Sequence, residues 1–422
     1  MTSPPTRSRG AVHVALRNMA WVLGDKVVAM VLGLVIFGLI ARALGPSGSG
    51  HFAYATALLQ VGLGLSLVCS GNALLPRFCR MHAALPGAIA NVFVVRMVAS
   101  LLAVALAMAY CVATIDDPQR LVVSLIVLLA VPLIEPFFVI GTYWQSRNHN
   151  QPNIVARTSG LVARAIVVVV ALAIHAPVWV LALSWVVEGA VNASIQTRQL
   201  RHAMPHRRFR RFVRASRCRA YLGFGARFIA SLWLTVVFSR LDRLVLGARM
   251  SAEDFGIYAT AMQLTDVWTQ VASLIGMSMA TAYLYRRVRE GRFAKAYFGI
   301  SAAMGAIGLA GVVVAWLLGP FVLRTVFGAP FVASQPYLVA GMGVAALHFV
   351  DQILVLTLTT LDRPHLLATK WAVSALVAAP AIWFGYAAYG AFAGPLGLAA
   401  GLLAGWVIAF GVLFWQRSAR PA

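Results

Sequence analysis

Charged side chains are scarce in this sequence, and their scarcity excludes an ordinary soluble protein. Asp, Glu, Lys and Arg make up 11% of the 422 residues, whereas soluble domains carry about 25%. Hydrophobic residues make up 61% of the chain and the mean hydropathy is +0.82. We therefore expect an all-α protein that crosses a phospholipid bilayer many times.

Acidic residues and lysines are scarcer still. The chain has 12 acidic and 35 basic residues, a net charge of +23, and its only lysines are Lys26, Lys295 and Lys370. Such a balance often indicates a nucleic-acid partner. Here, however, the basic residues lie mostly in short segments between apolar runs, which is typical of membrane topology. The pattern predicts no nucleic-acid partner.

Cysteines and catalytic motifs are also few. Cys69, Cys79, Cys111 and Cys218 have no paired spacing and no neighbouring histidines at metal-ligand distance, so neither a disulfide framework nor a zinc site is indicated. No Gly-x-x-x-x-Gly-Lys-Ser/Thr loop occurs, which excludes a built-in P-loop ATPase. We expect no enzyme activity, no cofactor and no metal.

Long apolar runs dominate the chain instead. About 20 apolar residues are needed for each transmembrane helix, and on that rule the sequence predicts twelve spans. Their limits are 17–41, 51–75, 87–113, 120–146, 153–174, 177–199, 221–247, 255–285, 294–318, 332–361, 366–389 and 395–416.

The loops between the runs predict orientation and division into lobes. Basic residues concentrate in every second connection, which predicts that both termini are cytoplasmic. The one long connection, Arg198 to Arg219, separates six spans from six. It predicts an N-terminal lobe over 1–200, a basic cytoplasmic linker over 201–220 and a C-terminal lobe over 221–422. The linker either sets topology or contacts anionic lipid headgroups.

The stretch from Gly223 to Ala261 carries polar residues every three to four positions. On a helix these residues form one polar stripe, which must face a cavity or a partner helix. The alternative is that Arg240, Asp242 and Arg243 are only an ion-paired helix end. The stripe consists of Arg227, Ser231, Thr235, Ser239 and Asp242.

Two turns of the sequence repeat each other. Gly50 precedes a Tyr-Ala-Thr-Ala tetrapeptide at 54–57, and Gly256 precedes the same tetrapeptide at 258–261. Both copies follow a span that is predicted to run outward. Two six-span halves in the same orientation form the parallel repeat found in some transporters.

These turns resemble those of a known family. Leu44-Gly45-Pro46 with Gly50, and the segment 241–247 (LDRLVLG) with 255–258 (FGIY), resemble Wzx-type polysaccharide-biosynthesis flippases. Their superfamily also includes multidrug and toxin extruders. The resemblance implies two six-helix lobes around a V-shaped central cavity, and alternating access. It implies a bacterial inner-membrane protein that carries a lipid-linked oligosaccharide to the periplasmic leaflet for O-antigen or exopolysaccharide synthesis.

Several ionisable side chains lie deep in predicted spans, where each costs at least about 2.5 kcal/mol on insertion scales. Arginines there suit an anionic headgroup such as a polyprenyl diphosphate, because Arg binds phosphate through two parallel hydrogen bonds. The alternative is that the cations only pair with intramembrane carboxylates. The candidate cavity residues are Asp25, Lys26, Arg96, Arg164, Arg227 and Asp266.

Carboxylates could also couple transport to H+ or Na+. Glu135 lies between Pro132 and Pro136, which predict a bend in its span. Glu188 belongs to a four-residue polar stripe, Ser184 to Gln196, that we expect to line a water-filled cleft. Asp351 shares a helix face with His348 and forms either a proton relay or a plain hydrogen-bonded pair.

Two other functions compete with the flippase. An ion-coupled multidrug extruder of the same superfamily would use Asp25, Glu188 and Asp266 as its site. A membrane polysaccharide polymerase or ligase would need a sizeable periplasmic loop, and the outward loops here are short. We expect a monomer, although the sequence leaves the oligomeric state, the glycan and the coupling ion open.

Overall fold

The computed structural model of the protein describes residues 9–81, 84–204, 209–276, 293–360 and 364–418. Over these residues the regular structure consists of α-helices and short 3-10 turns. The α-helices, numbered α1 to α14 in chain order, are Arg9–Leu65, Gly71–Arg80, Leu85–Thr114, Pro118–Leu128, Val131–Ile134, Phe138–Ser146, Gln151–Ala173, Val178–Ala203, Ala215–Gly247, Ala252–Ile275, Phe293–Val326, Gln335–Thr360, Pro364–Tyr389 and Ala393–Ser418.

Helix α1 is interrupted at Gly45. Its 57 residues would extend about 85 Å if straight, far more than the roughly 30 Å hydrocarbon core of a bilayer. Gly45 has φ 67° and ψ −173°, a left-handed φ that glycine adopts readily, and Pro46 follows it. The two halves of α1 therefore correspond to the first two predicted spans.

Where the structure describes them, the twelve predicted spans are mainly helical. Within the described ranges, eight stretches are long and apolar enough to cross a membrane, and a bent pair, Ala215–Ala226 with Ile229–Gly247, adds a ninth. Two of the eight, Lys26–Leu65 and Pro364–Gly411, each cover two predicted spans. The remaining predicted span is α10, which is more polar than the others because it carries Gln263, Asp266 and Gln270.

The chain forms two compact units that are discontinuous in sequence. The first unit comprises 1–36, 66–109 and 126–226, and the second comprises 37–65, 110–125 and 227–422. The second unit therefore includes two segments from the N-terminal part of the chain. The division into lobes at 201–220 stays a prediction.

In the first unit, apolar faces of α2, α3, α6 and α8 pack into one core. Residues such as Phe78, Val92 and Tyr143 are buried there. Asn91 on α3 fixes the segment after α8, because its amide donates to the Phe212 carbonyl at 2.9 Å and accepts from the Arg214 backbone N–H at 2.9 Å. Part of the basic linker is thus tied to the core.

In the second unit, α10, α11 and α12 pack around Met304, Phe349 and Ile353. Trp268 of α10 lies against Phe349, with ring centroids 5.5 Å apart. Helices α13 and α14 pack against each other and α14 also contacts α12. Because α10 packs against α12, its polar residues lie beside that helix.

Candidate functional site

A small polar cavity of about 160 Å³ lies in the second unit between α9, α10 and α12. Helix α10 begins at Ala252 because Ser251 caps it, accepting a hydrogen bond from the Asp254 backbone N–H at 3.1 Å. Polar side chains from all three helices reach the cavity, including Ser239, Asp266 and His348.

Asp266 is held by two arginines in this cavity. Its Oδ2 atom lies 2.5 Å from Nη1 of Arg240 and 3.0 Å from Nη1 of Arg243. Arg243 also donates to the Met262 carbonyl at 3.0 Å. The sequence indicates Asp266 as a cavity residue, and for the two arginines it offers an ion-paired helix end as one alternative. They in fact neutralise the carboxylate of the neighbouring helix.

The polar stripe of α9 is only partly a cavity lining. The Thr235 hydroxyl donates to the Ser231 carbonyl at 2.6 Å, and Ser239 donates to the Val236 carbonyl at 2.8 Å. Hydroxyls bonded to their own helix need no water. Asp242 is buried and accepts from the Tyr258 hydroxyl at 2.7 Å. The side chain of Arg227 lies outside the described part of the structure.

In the first unit, Arg96 and Glu135 form a buried ion pair. Arg96 Nη1 lies 3.3 Å from Glu135 Oε1, and both side chains are 1% exposed. The span that carries Pro132 and Pro136 is divided into α4, α5 and α6, and the bend itself stays a prediction. Arg96 also donates to the carbonyl of Glu135 and to that of Cys69. Arg96 thus joins α3 to the backbone after α5 and to the turn between α1 and α2.

Arg164 and Glu188 form a second pair between α7 and α8. Arg164 Nη1 lies 3.3 Å from Glu188 Oε2, and its guanidinium carbon lies 3.5 Å from the ring centroid of Trp185. Arg164 is 5% exposed. Stacking and ion pairing together hold the guanidinium in one orientation.

The rest of the α8 stripe is packed inside the unit. Ser184, Asn192 and Gln196 are buried, and Gln196 donates to Asn192 Oδ1 at 2.9 Å. The prediction that this face lines a water-filled cleft is therefore wrong for these three residues. Gly160 lets α7 approach α8 closely at Asn192, because a Cβ atom at position 160 would lie 3.4 Å from Cβ of Asn192.

Asp351 is bound by two helices that follow it in sequence. Nζ of Lys370 on α13 lies 2.6 Å from Asp351 Oδ1 and from Oδ2, and Nε1 of Trp406 on α14 donates to Oδ1 at 2.6 Å. Asp351 and Lys370 are 2% and 0% exposed. Sequence reasoning missed Lys370, although a lysine inside an apolar run is itself a signal for a buried acidic partner.

The predicted cavity residues thus fall into separate clusters. Arg96 and Arg164 bind different carboxylates, and Asp266 lies in the second unit. Lys26 lies on α1 and is half-buried, and the side chain of Asp25 is outside the described residues. Within the described ranges, no three His, Cys, Asp or Glu side chains come together as a metal site.

The chain is similar to known proteins both in sequence and in fold. Residues 15–281 match the family model described as polysaccharide biosynthesis protein. No curated protein matches the sequence.

Solved structures match over nearly the whole chain. An inward-facing multidrug resistance MATE transporter of the MOP superfamily is similar with a TM-score of 0.70 at 14% identity, covering 93% of this chain and 94% of its own. The lipid II flippase MurJ gives 0.71 at 10% identity, covering 94% and 87%. A MOP superfamily transporter of Pyrococcus furiosus gives 0.59 at 13% identity, covering 95% of each chain.

Proposed function

The chain belongs to the polysaccharide biosynthesis protein family, and from that premise we propose that it is a flippase for a polyprenyl-diphosphate-linked oligosaccharide. It moves this substrate from the cytoplasmic to the periplasmic leaflet of a bacterial inner membrane, for a surface polysaccharide such as O-antigen or exopolysaccharide. Its fold is that of MOP superfamily transporters, and one structural neighbour is a lipid II flippase. We propose that it acts as a monomer with both termini cytoplasmic.

The observation that carries this choice is the neutralisation of the carboxylates. A multidrug extruder needs acidic groups that are available to a cationic drug. Here Glu188 is engaged by Arg164, and Asp266 is engaged by Arg240 and Arg243. Two of the three carboxylates that such an extruder would use are therefore already matched by arginines of the protein.

The charge of the first unit supports the same conclusion. Its sequence segments contain nineteen Lys and Arg residues but only three acidic residues, Asp25, Glu135 and Glu188. Carboxylates of the unit cannot balance so many cations, so the unit attracts anions. The diphosphate headgroup of the proposed substrate is such an anion. Lys26, Arg96 and Arg164, together with Arg227 of the second unit, remain the cationic residues proposed along the path of the headgroup.

Energy coupling is assigned to carboxylates in the membrane. Glu135 is the leading candidate because it lies at the break between α5 and α6, where a helix can change its bend. Glu188 and Asp351 are the other candidates, and each of the three would have to leave its basic partner in order to bind an ion. Either H+ or Na+ would serve, since a carboxylate binds both.

Reconstituted vesicles test the proposal. Purified protein is inserted into vesicles that contain a fluorescent polyprenyl-diphosphate oligosaccharide, and an enzyme added outside modifies only the exposed sugar. We expect the protein to increase the fraction of modified substrate while leaving a cationic dye such as ethidium unmoved. Ethidium extrusion that Glu188→Gln or Asp266→Asn abolishes, without oligosaccharide movement, would instead establish the multidrug extruder.

A further inference from the structure

A second and larger cavity opens at the C-terminal end of α8 in the first unit. Its volume is about 720 Å³, within the range of pockets that hold small-molecule ligands. Ser194, Thr197, Arg198 and Arg201 line it from positions three to four apart, so they share one face of the helix. His202 and Phe137 complete the wall.

The cations of this cavity have no carboxylate to neutralise them in the described part of the first unit. The two described acidic side chains, Glu135 and Glu188, are held by Arg96 and Arg164. Glu188 also lies ten residues before Arg198, which is about 15 Å along the helix axis. An anion that neutralises Arg198 and Arg201 must therefore come from outside the first unit.

A helix C-terminus alone does not explain the arrangement. Basic residues in a last turn are favourable because the helix dipole is negative there, and that accounts for Arg201 and His202. It does not account for the two hydroxyls, Ser194 and Thr197, that lie on the same face one to two turns earlier beside the cavity. Guanidinium groups next to hydroxyl donors are the usual ligands of phosphate oxygens.

We propose that this cavity, the α8 pocket, binds the diphosphate of the lipid-linked substrate before translocation. The inference rests on the proposed function, and it adds a loading site that is distinct from the buried pairs. Arg198 and Arg201 bind the phosphate oxygens, while Ser194 and Thr197 donate further hydrogen bonds. The exposed position of both arginines lets a headgroup enter without breaking any described ion pair.

The test compares two double variants with the same change of charge. Arg198→Gln/Arg201→Gln removes the α8 pocket cations, and Arg211→Gln/Arg219→Gln removes two exposed linker arginines as a control. Full-length protein in phosphatidylcholine nanodiscs is titrated with farnesyl diphosphate. We expect the pocket variant to bind at least about tenfold more weakly than wild type, and the control to bind like wild type. Equal binding by both variants would overturn the proposal.

A competition arm separates the two lipid sources of phosphate. Nanodiscs that also contain phosphatidylglycerol should bind farnesyl diphosphate with unchanged affinity. If phosphatidylglycerol abolishes the binding, the cavity is a phospholipid site and the diphosphate assignment is wrong.

Translocation measured on the same variants keeps the two proposals apart. Suppose that the wild-type protein moves the oligosaccharide and that the pocket variant binds and moves it equally well. The α8 pocket is then not the loading site, while the flippase proposal still holds. If binding depends on Arg198 and Arg201 but the protein moves no oligosaccharide, the α8 pocket is a diphosphate site and the flippase proposal is wrong.

Discussion

Gly50 and Gly256 face each other where two helices cross. Gly50 lies against the carbonyl of Ala252, four positions before Gly256, and Gly256 lies against the carbonyl of Pro46, four positions before Gly50. A Cβ atom on Gly50 would overlap the Ala252 oxygen, and one on Gly256 would overlap the Pro46 oxygen. The two contacts are reciprocal, as the repeated sequences around both glycines suggest. The crossing joins the second half of α1 to α10 within the second unit.

Alanine at either glycine should destabilise the protein. Because the backbones are in contact, the added methyl group must push the helices apart, at a cost of about 1–3 kcal/mol for overpacking. Gly343→Ala is the matched control, since no atom lies within 4 Å of a Cβ there. Thermal unfolding in detergent should show a lower midpoint for Gly50→Ala and Gly256→Ala only. Unchanged midpoints for both would mean that the crossing is not tightly packed.

Loss of Lys370 should be among the most damaging single substitutions. Lys370→Met leaves the buried Asp351 carboxylate without its cation, which typically costs about 3–5 kcal/mol. Asp351→Asn/Lys370→Met should recover much of that loss, because Asn keeps an oxygen for Trp406. The yield of folded protein and the unfolding midpoint measure both effects. A double variant no more stable than Lys370→Met would contradict the pairing as the cause.

Arg164 should tolerate lysine only in part. Lysine keeps the charge beside Glu188 but loses the planar group that stacks on Trp185. We expect export to fall in the order wild type, Arg164→Lys, Arg164→Ala. The neutral pair Arg164→Met/Glu188→Leu distinguishes two roles. If this double variant regains stability but does not export, Arg164 binds the substrate. If it regains both stability and export, the pair is only structural.

Glu135→Gln should slow translocation and remove its dependence on an imposed H+ or Na+ gradient. Gln keeps the shape of the side chain but cannot change protonation or bind a cation through charge. Vesicles with imposed gradients provide the measurement. The variant Arg96→Gln/Glu135→Gln, which removes both charges of the pair, should be equally independent of the gradient. A normal gradient response in this double variant would leave Glu135 a structural residue only.

Reporter fusions test the orientation. A fusion after Arg214 should report a cytoplasmic location, since this segment follows six predicted spans from a cytoplasmic N-terminus. A fusion after Asp116, in the loop between α3 and α4, should report the periplasm. The opposite result at Arg214 would reverse the predicted topology, and with it the side on which the α8 pocket loads.

The helices were predictable from sequence because hydropathy is a local property, and each apolar run reports its own length. The partners of the charges were not. Arg96 and Glu135 are 39 residues apart, and no local pattern connects them. The burial of the α8 stripe was not predictable, because helical spacing identifies a polar face without showing whether water or protein covers it.

The buried ion pairs also determine how the protein responds to membrane voltage. Moving one elementary charge through 100 mV involves about 2.3 kcal/mol of electrical work. Arg164 with Glu188, and Lys370 with Asp351, each sum to zero charge. A helix pair that carries such a couple can shift along the field with almost no work. These two pairs therefore add almost nothing to the charge that a transport cycle moves across the membrane.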